Sequence, residues 1–167
     1  MILGMSLSNF TTVHVIISLI GIAAGFVALY GMVTSNRLEL WTALFLIFTI
    51  LTSVTGFFFP LVKIGPPHII GAISLVLLAA AVLGIYVYSL AGPWRWIYVV
   101  AALIAQWFNV AIGIIQAFQK LDFLRPLAPT QSEPPFLVTQ LVVLALFIVL
   151  GWLAVRRFHP AATAQAV

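Results

Sequence analysis

The charged residues of this chain fall in a few short groups, and between the groups lie five stretches that carry no charge at all. The groups are Arg37 with Glu39, Lys63, Arg95, then Lys120 with Asp122, Arg125 and Glu133, and finally Arg156 with Arg157. Each uncharged stretch exceeds the roughly 20 residues that carry a helix across a bilayer core. In hydrocarbon every backbone N–H and C=O must be paired without water, and a single segment achieves that only as a helix. The sequence therefore predicts an all-α polytopic membrane bundle of five transmembrane helices at about 10–33, 40–59, 68–90, 94–118 and 136–156. Four helices plus a re-entrant or peripheral segment is the alternative. Pro60, Pro66 and Pro67, then Gly92 and Pro93, then Pro126, Pro129, Pro134 and Pro135 punctuate the joints. The whole of 1–167 reads as one integral membrane domain, with a loop at 119–135 and a short tail at 157–167.

Composition excludes several functions. Only 6% of the residues are charged and 64% are hydrophobic, against about a quarter charged in an average soluble domain. The net charge of +4 comes from seven scattered Lys and Arg against three acids, which make no phosphate-binding stripe, so no nucleic acid is expected. With no cysteine there is no disulfide, thiol nucleophile or thiolate metal site. GxGxxG, Walker, HExxH and GxSxG motifs are all missing from the chain. No acidic residue lies inside a span to couple transport to protons or sodium, and an odd number of spans does not divide into two inverted halves. The expectation leans towards a non-enzymatic protein.

The first span lacks a basic leader and a small-residue cleavage site, so it is read as a retained helix rather than a signal peptide. Helices alternate in direction, which defines a side A, with the N-terminus, and a side B, with the C-terminus. Side B receives Arg37, Arg95, Arg156 and Arg157, and side A receives Lys63, Lys120 and Arg125. The excess places side B in the cytoplasm. All four tyrosines (Tyr30, Tyr86, Tyr88, Tyr98) and Trp41, Trp94, Trp96 and Trp152 also fall near side B, as expected of an interfacial aromatic belt.

With charge excluded from the spans, chemistry there has to use neutral polar groups, and these form stripes. In the fourth helix Gln106, Asn109, Gly113, Gln116 and Lys120 recur at three or four residues and share one face. An amide facing lipid loses its hydrogen bonds, so this face is expected against other helices or a wet cavity. The first helix presents Thr11, His14, Ser18, Gly21 and Gly25, and the second Thr49, Thr52, Ser53 and Gly56. Gly21 and Gly25 form a small-xxx-small pair that lets backbones approach, and Gly56 and Gly113 are further packing candidates. Hydroxyls in lipid also bond the carbonyl one turn back, which satisfies them locally. The three faces are expected to meet, with Gln106, Asn109, Gln116, Thr52, Ser53, Thr55 and Ser18 as candidate ligand-binding residues.

His14 and His68 both belong to side A, and two facing neutral imidazoles are the axial ligands of a b-type haem. A pair without a third ligand is a poor zinc or copper site. The 119–135 loop, stiffened by prolines, is expected to fold as a lid on the same side, with Lys120, Asp122, Arg125 and Glu133 available for weak surface ion pairs.

The segments TSVTGFFFP and LAPTQSEPP, with WRWIY around Arg95, resemble those of a group of small bacterial integral membrane proteins of no assigned function. The resemblance covers nearly the whole chain. It implies a bacterial inner membrane with side A periplasmic, hence a periplasmic N-terminus and cytoplasmic C-terminus, and it supplies no activity, cofactor or site residue.

Three functional readings follow. The first is a non-enzymatic bundle that binds or passes a small neutral or lipidic ligand between helices 1, 2 and 4, as a single chain or a homo-oligomer. The second is a redox protein with His14 and His68 on haem or a quinone headgroup. The third is an accessory subunit of a larger membrane complex, docked by its GxxxG face.

Overall fold

The computed structural model describes residues 2–60 and 66–160 of the chain, without the side chains of Pro66 and Pro67. Lys63, counted above on side A, and most of the 157–167 tail lie outside the described residues. Within them, five separate helices are long and apolar enough to cross a membrane, so the chain is an all-α membrane helical bundle.

Local chemistry sets the ends. Helix α1 spans Leu7–Val33 and starts earlier than 10 because Ser6 caps it, its Oγ accepting the Asn9 N–H at 3.2 Å. Helix α2 spans Glu39–Gly56, with an acid in the first turn where the helix dipole favours it. Helix α3 spans Pro66–Val82 and widens into a π-helical turn at Leu83–Val87. It stops short of the predicted Leu90 because Ser89 and Leu90 take left-handed conformations, with φ of 48° and 62°. Helices α4, Trp94–Lys120, and α5, Pro134–Arg157, each run slightly past the predicted ends. The α4–α5 connection is thereby cut to 121–133 and contains a 3-10 turn at Arg125–Leu127.

Helix α1 packs chiefly on α2, and α3 on α4; α4 touches each of the other four helices and forms the centre of the bundle. Its inward face carries Ala101, Ala102 and Ala105, whose small size admits neighbours closely. The core is completed by Ala24, Ala28 and Leu29 of α1, Phe45 and Leu46 of α2, Leu78 and Ile85 of the third helix, and Phe147 and Ala154 of α5. Large apolar residues such as Ile16, Leu19, Val76, Leu141 and Ile148 point outward. That arrangement suits a hydrocarbon solvent and would be an aggregation hazard in water.

On side B the belt residues Tyr30, Trp41, Tyr86, Tyr88, Trp96 and Trp152 are exposed. Tyr98 departs from the expectation: it is fully buried, packed against Phe158. Two arginines of this side turn inward. Arg37 Nη2 donates to the Ile85 carbonyl in the π-helical turn at 3.2 Å. Arg95 Nη1 donates to the carbonyls of Val155 and Phe158, at 2.8 and 3.1 Å, and so closes the end of α5. Arg156 instead lies over the Trp152 ring at 4.1 Å.

Candidate functional site

The polar faces of α1, α2 and α4 meet in a buried seam. Gln106, on the innermost helix, is almost wholly buried, and its Nε2 donates to the Ile22 carbonyl of α1 at 2.8 Å. Its carboxamide lies in the notch left by Gly25, where a Cβ would overlap it. One turn further towards side A, Asn109 Nδ2 donates to Thr49 Oγ1 of α2 at 3.2 Å. Thr49 is fully buried, and a Cβ on Gly21 would come within 3.3 Å of its hydroxyl. The two glycines of the GxxxG pair are thus used inside the chain by different neighbours: Gly21 admits α2, and Gly25 admits the glutamine of α4.

Gln106 Oε1 is buried and has no hydrogen-bond partner. Gln106 and Gly25 line a small cavity with Leu29, Met32, Phe45, Ala102 and Leu103, of about 10 Å³. That is close to the room one water needs. An unpaired amide oxygen in such surroundings costs about 1–3 kcal/mol, so a donor entering the cavity gains that much.

The other candidates sort by position. Thr52 Oγ1 donates to the Phe48 carbonyl at 2.8 Å and Ser18 Oγ to the His14 carbonyl at 2.7 Å, each one turn back in its own helix. Ser53 is buried on the inner face of α2. Gln116 is exposed and stands apart from the seam, because the stripe on α4 outruns the neighbours that cover it. A Cβ on Gly113 would make only an ordinary contact with Ile22, at 3.6 Å, and one on Gly56 would just reach the His14 ring, at 4.0 Å, so a methyl fits at both.

At the side-A end of the seam His14 Nδ1 lies 2.7 Å from Thr55 Oγ1. The Thr55 hydroxyl also sits 2.6 Å from the Leu51 carbonyl, which can only accept. Its one proton goes there, so His14 Nδ1–H donates to the hydroxyl and Nε2 keeps its lone pair. The His14 ring meets Phe59 edge-on at 5.1 Å, whereas His68 tilts over Phe57 at 6.0 Å. The two imidazoles thus rest on different phenylalanines of one segment, and α1 and α3 do not pack extensively on each other. Among the described residues no three His, Cys, Asp or Glu side chains form a metal-binding group.

The sequence makes Lys120, Asp122, Arg125 and Glu133 of the 119–135 loop available for ion pairs. Among the described residues the ion pair found is instead Arg37 with Glu39, at 3.9 Å on side B. Glu133 takes up hydroxyl and backbone donors: Thr130 Oγ1 and N–H reach its Oε1 at 2.8 and 3.1 Å, and the Ser132 N–H reaches Oε2 at 3.1 Å. Desolvation pushes this carboxyl up, but the bonds from Thr130 and the backbone outweigh it and hold it below its ordinary value of 4.5. A depressed folded value means the carboxylate contributes order above the ordinary value and loses it as pH falls through the folded one. The protection of the Thr130 and Ser132 amides, taken relative to the intrinsic exchange rate at each pH, should therefore be high at pH 6 and be lost as acid protonates the carboxylate. A protection factor that does not fall on acidification would remove Glu133 as the organiser of the loop.

A larger pocket, of about 220 Å³, opens between this connection and the end of α4, lined by Phe118, Gln119, Arg125, Ala128, Pro129, Thr130 and Gln131. Sequence reasoning missed it, as it missed Arg95 and the Gln106 notch, since each depends on contacts between distant segments. Compared with known protein families, with curated proteins and with solved structures, the chain matches none.

Proposed function

We propose that this is a non-enzymatic membrane protein of the bacterial inner membrane that binds or passes a small neutral molecule between α1, α2 and α4. The observation that carries the reading is the buried, unpartnered Gln106 Oε1 at a cavity of about one water. A neutral guest with one O–H or N–H fits an acceptor that no protein donor reaches. A larger or lipidic guest needs α1 to move away from α4, and at the Gly25 notch the Gln106 carboxamide fills the space between them. The neutral amides and hydroxyls of the seam fit uncharged guests, and no carboxylate lies among them. The excess of basic residues at side B supports a cytoplasmic C-terminus and a periplasmic N-terminus.

The test is solute flux in proteoliposomes, followed by stopped-flow light scattering with water and glycerol. The protein should raise permeability to at least one of them above that of empty liposomes, and Gln106→Leu with Asn109→Leu should lower it severalfold while the protein stays folded. Unchanged flux in a folded double variant would defeat the reading.

A redox alternative rests on His14. Its Nδ1 is held by Thr55, leaving Nε2 as the lone pair that a haem iron uses. A spectrum in mild detergent before and after dithionite separates the two readings, because protein purified without a Soret band binds no haem.

A further inference from the structure

The 220 Å³ pocket at the side-A end of α4 lies outside the seam and plays no part in the function proposed above. Its floor is apolar: Phe118 and Ala128 are nearly fully buried and pack with Phe136 under the loop. Its rim is cationic and rich in N–H donors. Arg125 is exposed on the 3-10 turn, and its guanidinium has no acidic partner among the described residues. Neither Asp122 nor Glu133, the acids of this connection, pairs with it, and Glu133 takes donors from Thr130 and Ser132 instead. Gln119 Nε2 donates one N–H to Gln131 Oε1 at 3.2 Å, and Gln131 Nε2 donates one to the Ile115 carbonyl at 3.0 Å. Each amide group has two N–H, so each keeps a second for a guest. Gln131 is held at a φ of 59°, an unusual conformation for a residue with a side chain, and those two amide bonds fix it there.

A planar guanidinium with two further neutral donors beside an apolar floor is the chemistry that recognises a phosphate ester. The pocket also sits at the end of a spanning helix, the level at which lipid headgroups lie. We propose that Arg125, Gln119 and Gln131 form a binding site for one phosphate group, with Phe118, Ala128 and Pro129 against the atoms next to it. Two sources carry that group, a phospholipid and free phosphate.

Native mass spectrometry of the full-length protein, released from micelles containing phosphatidylglycerol, tests the site. The wild type should retain one lipid, and Arg125→Gln should lower occupancy about tenfold, the loss expected for a hydrogen bond to a charged group. Arg157→Gln, an exposed cation at the opposite side, should leave it unchanged. Melting temperature checks that both variants fold. If millimolar inorganic phosphate displaces the lipid and by itself raises the melting temperature of the wild type but not of Arg125→Gln, the site holds and free phosphate is its ligand. If the lipid stays bound against phosphate, the site holds and the headgroup is its ligand. Equal loss in Arg125→Gln and Arg157→Gln, or no retained lipid together with no effect of phosphate, overturns the proposal.

Discussion

Gly25→Ala should destabilise the bundle by about 1–3 kcal/mol, the range for forcing an extra methyl into a packed interior. The cost has a specific source. A Cβ at this position overlaps the Gln106 carboxamide, which is almost wholly buried and hydrogen-bonded to the Ile22 carbonyl. The glutamine cannot swing to solvent from the centre of the bundle, so it must break that bond or push α1 away from α4. In a Gln106→Ala background the obstacle is gone, and Gly25→Ala should then cost less than about 0.5 kcal/mol. Gly113→Ala, with only an ordinary contact to Ile22, should be near neutral, since alanine is also the better helix former. Unfolding in mixed micelles measures all of these. Additive effects of Gly25→Ala and Gln106→Ala would mean that the notch and the amide are not coupled, and would also weaken the case for a guest site there.

Replacing Arg95 by Met should cost about 2 kcal/mol, because a charged donor to two carbonyls is lost at a partly buried position. The last carbonyls of a helix have no partner within it and carry the negative end of its dipole. Arg95 supplies both needs for α5 from the start of α4. Its loss should also free the segment that follows, where Phe158 packs on Tyr98 and the His159 N–H donates to Ser35 Oγ at 2.9 Å. Hydrogen exchange at Phe158 and His159 should therefore accelerate in Arg95→Met and not in Arg157→Met, whose own cost should stay within about 0.5 kcal/mol. If the two variants behave alike, Arg95 is only an interfacial charge.

Arg95 also shows where reading the sequence reaches its limit. Counted as a loop charge, it correctly bounds α4, because a charge is excluded from hydrocarbon wherever the rest of the chain lies. Nothing in its neighbourhood, WRWIY, indicates that it reaches carbonyls some sixty residues away. Gln106 and Asn109 were legible as an inward face by their spacing. The same spacing extends that face to Gln116, which the structure leaves exposed, because α5 and the loop cover the other side of that part of α4, at Ile115 and Phe118. Depth alone places Tyr98 among the interfacial anchors, and it is buried because α4 is the helix that all the others surround.

The sequence by itself determined that the chain forms five membrane helices with uncharged spans, since that follows from the cost of placing charge and unpaired backbone in hydrocarbon, and this cost acts on each segment alone. It also limited any chemistry in the spans to amides, hydroxyls and imidazole. Only the tertiary structure decided that Gly21 receives Thr49 while Gly25 receives Gln106, that one amide oxygen is left unpaired beside a cavity of about one water, and that Arg125 stands over a pocket without an acid. Those outcomes depend on the rotation and depth of each helix against its neighbours. Close packing of small residues sets these, and a hydropathy pattern does not encode them.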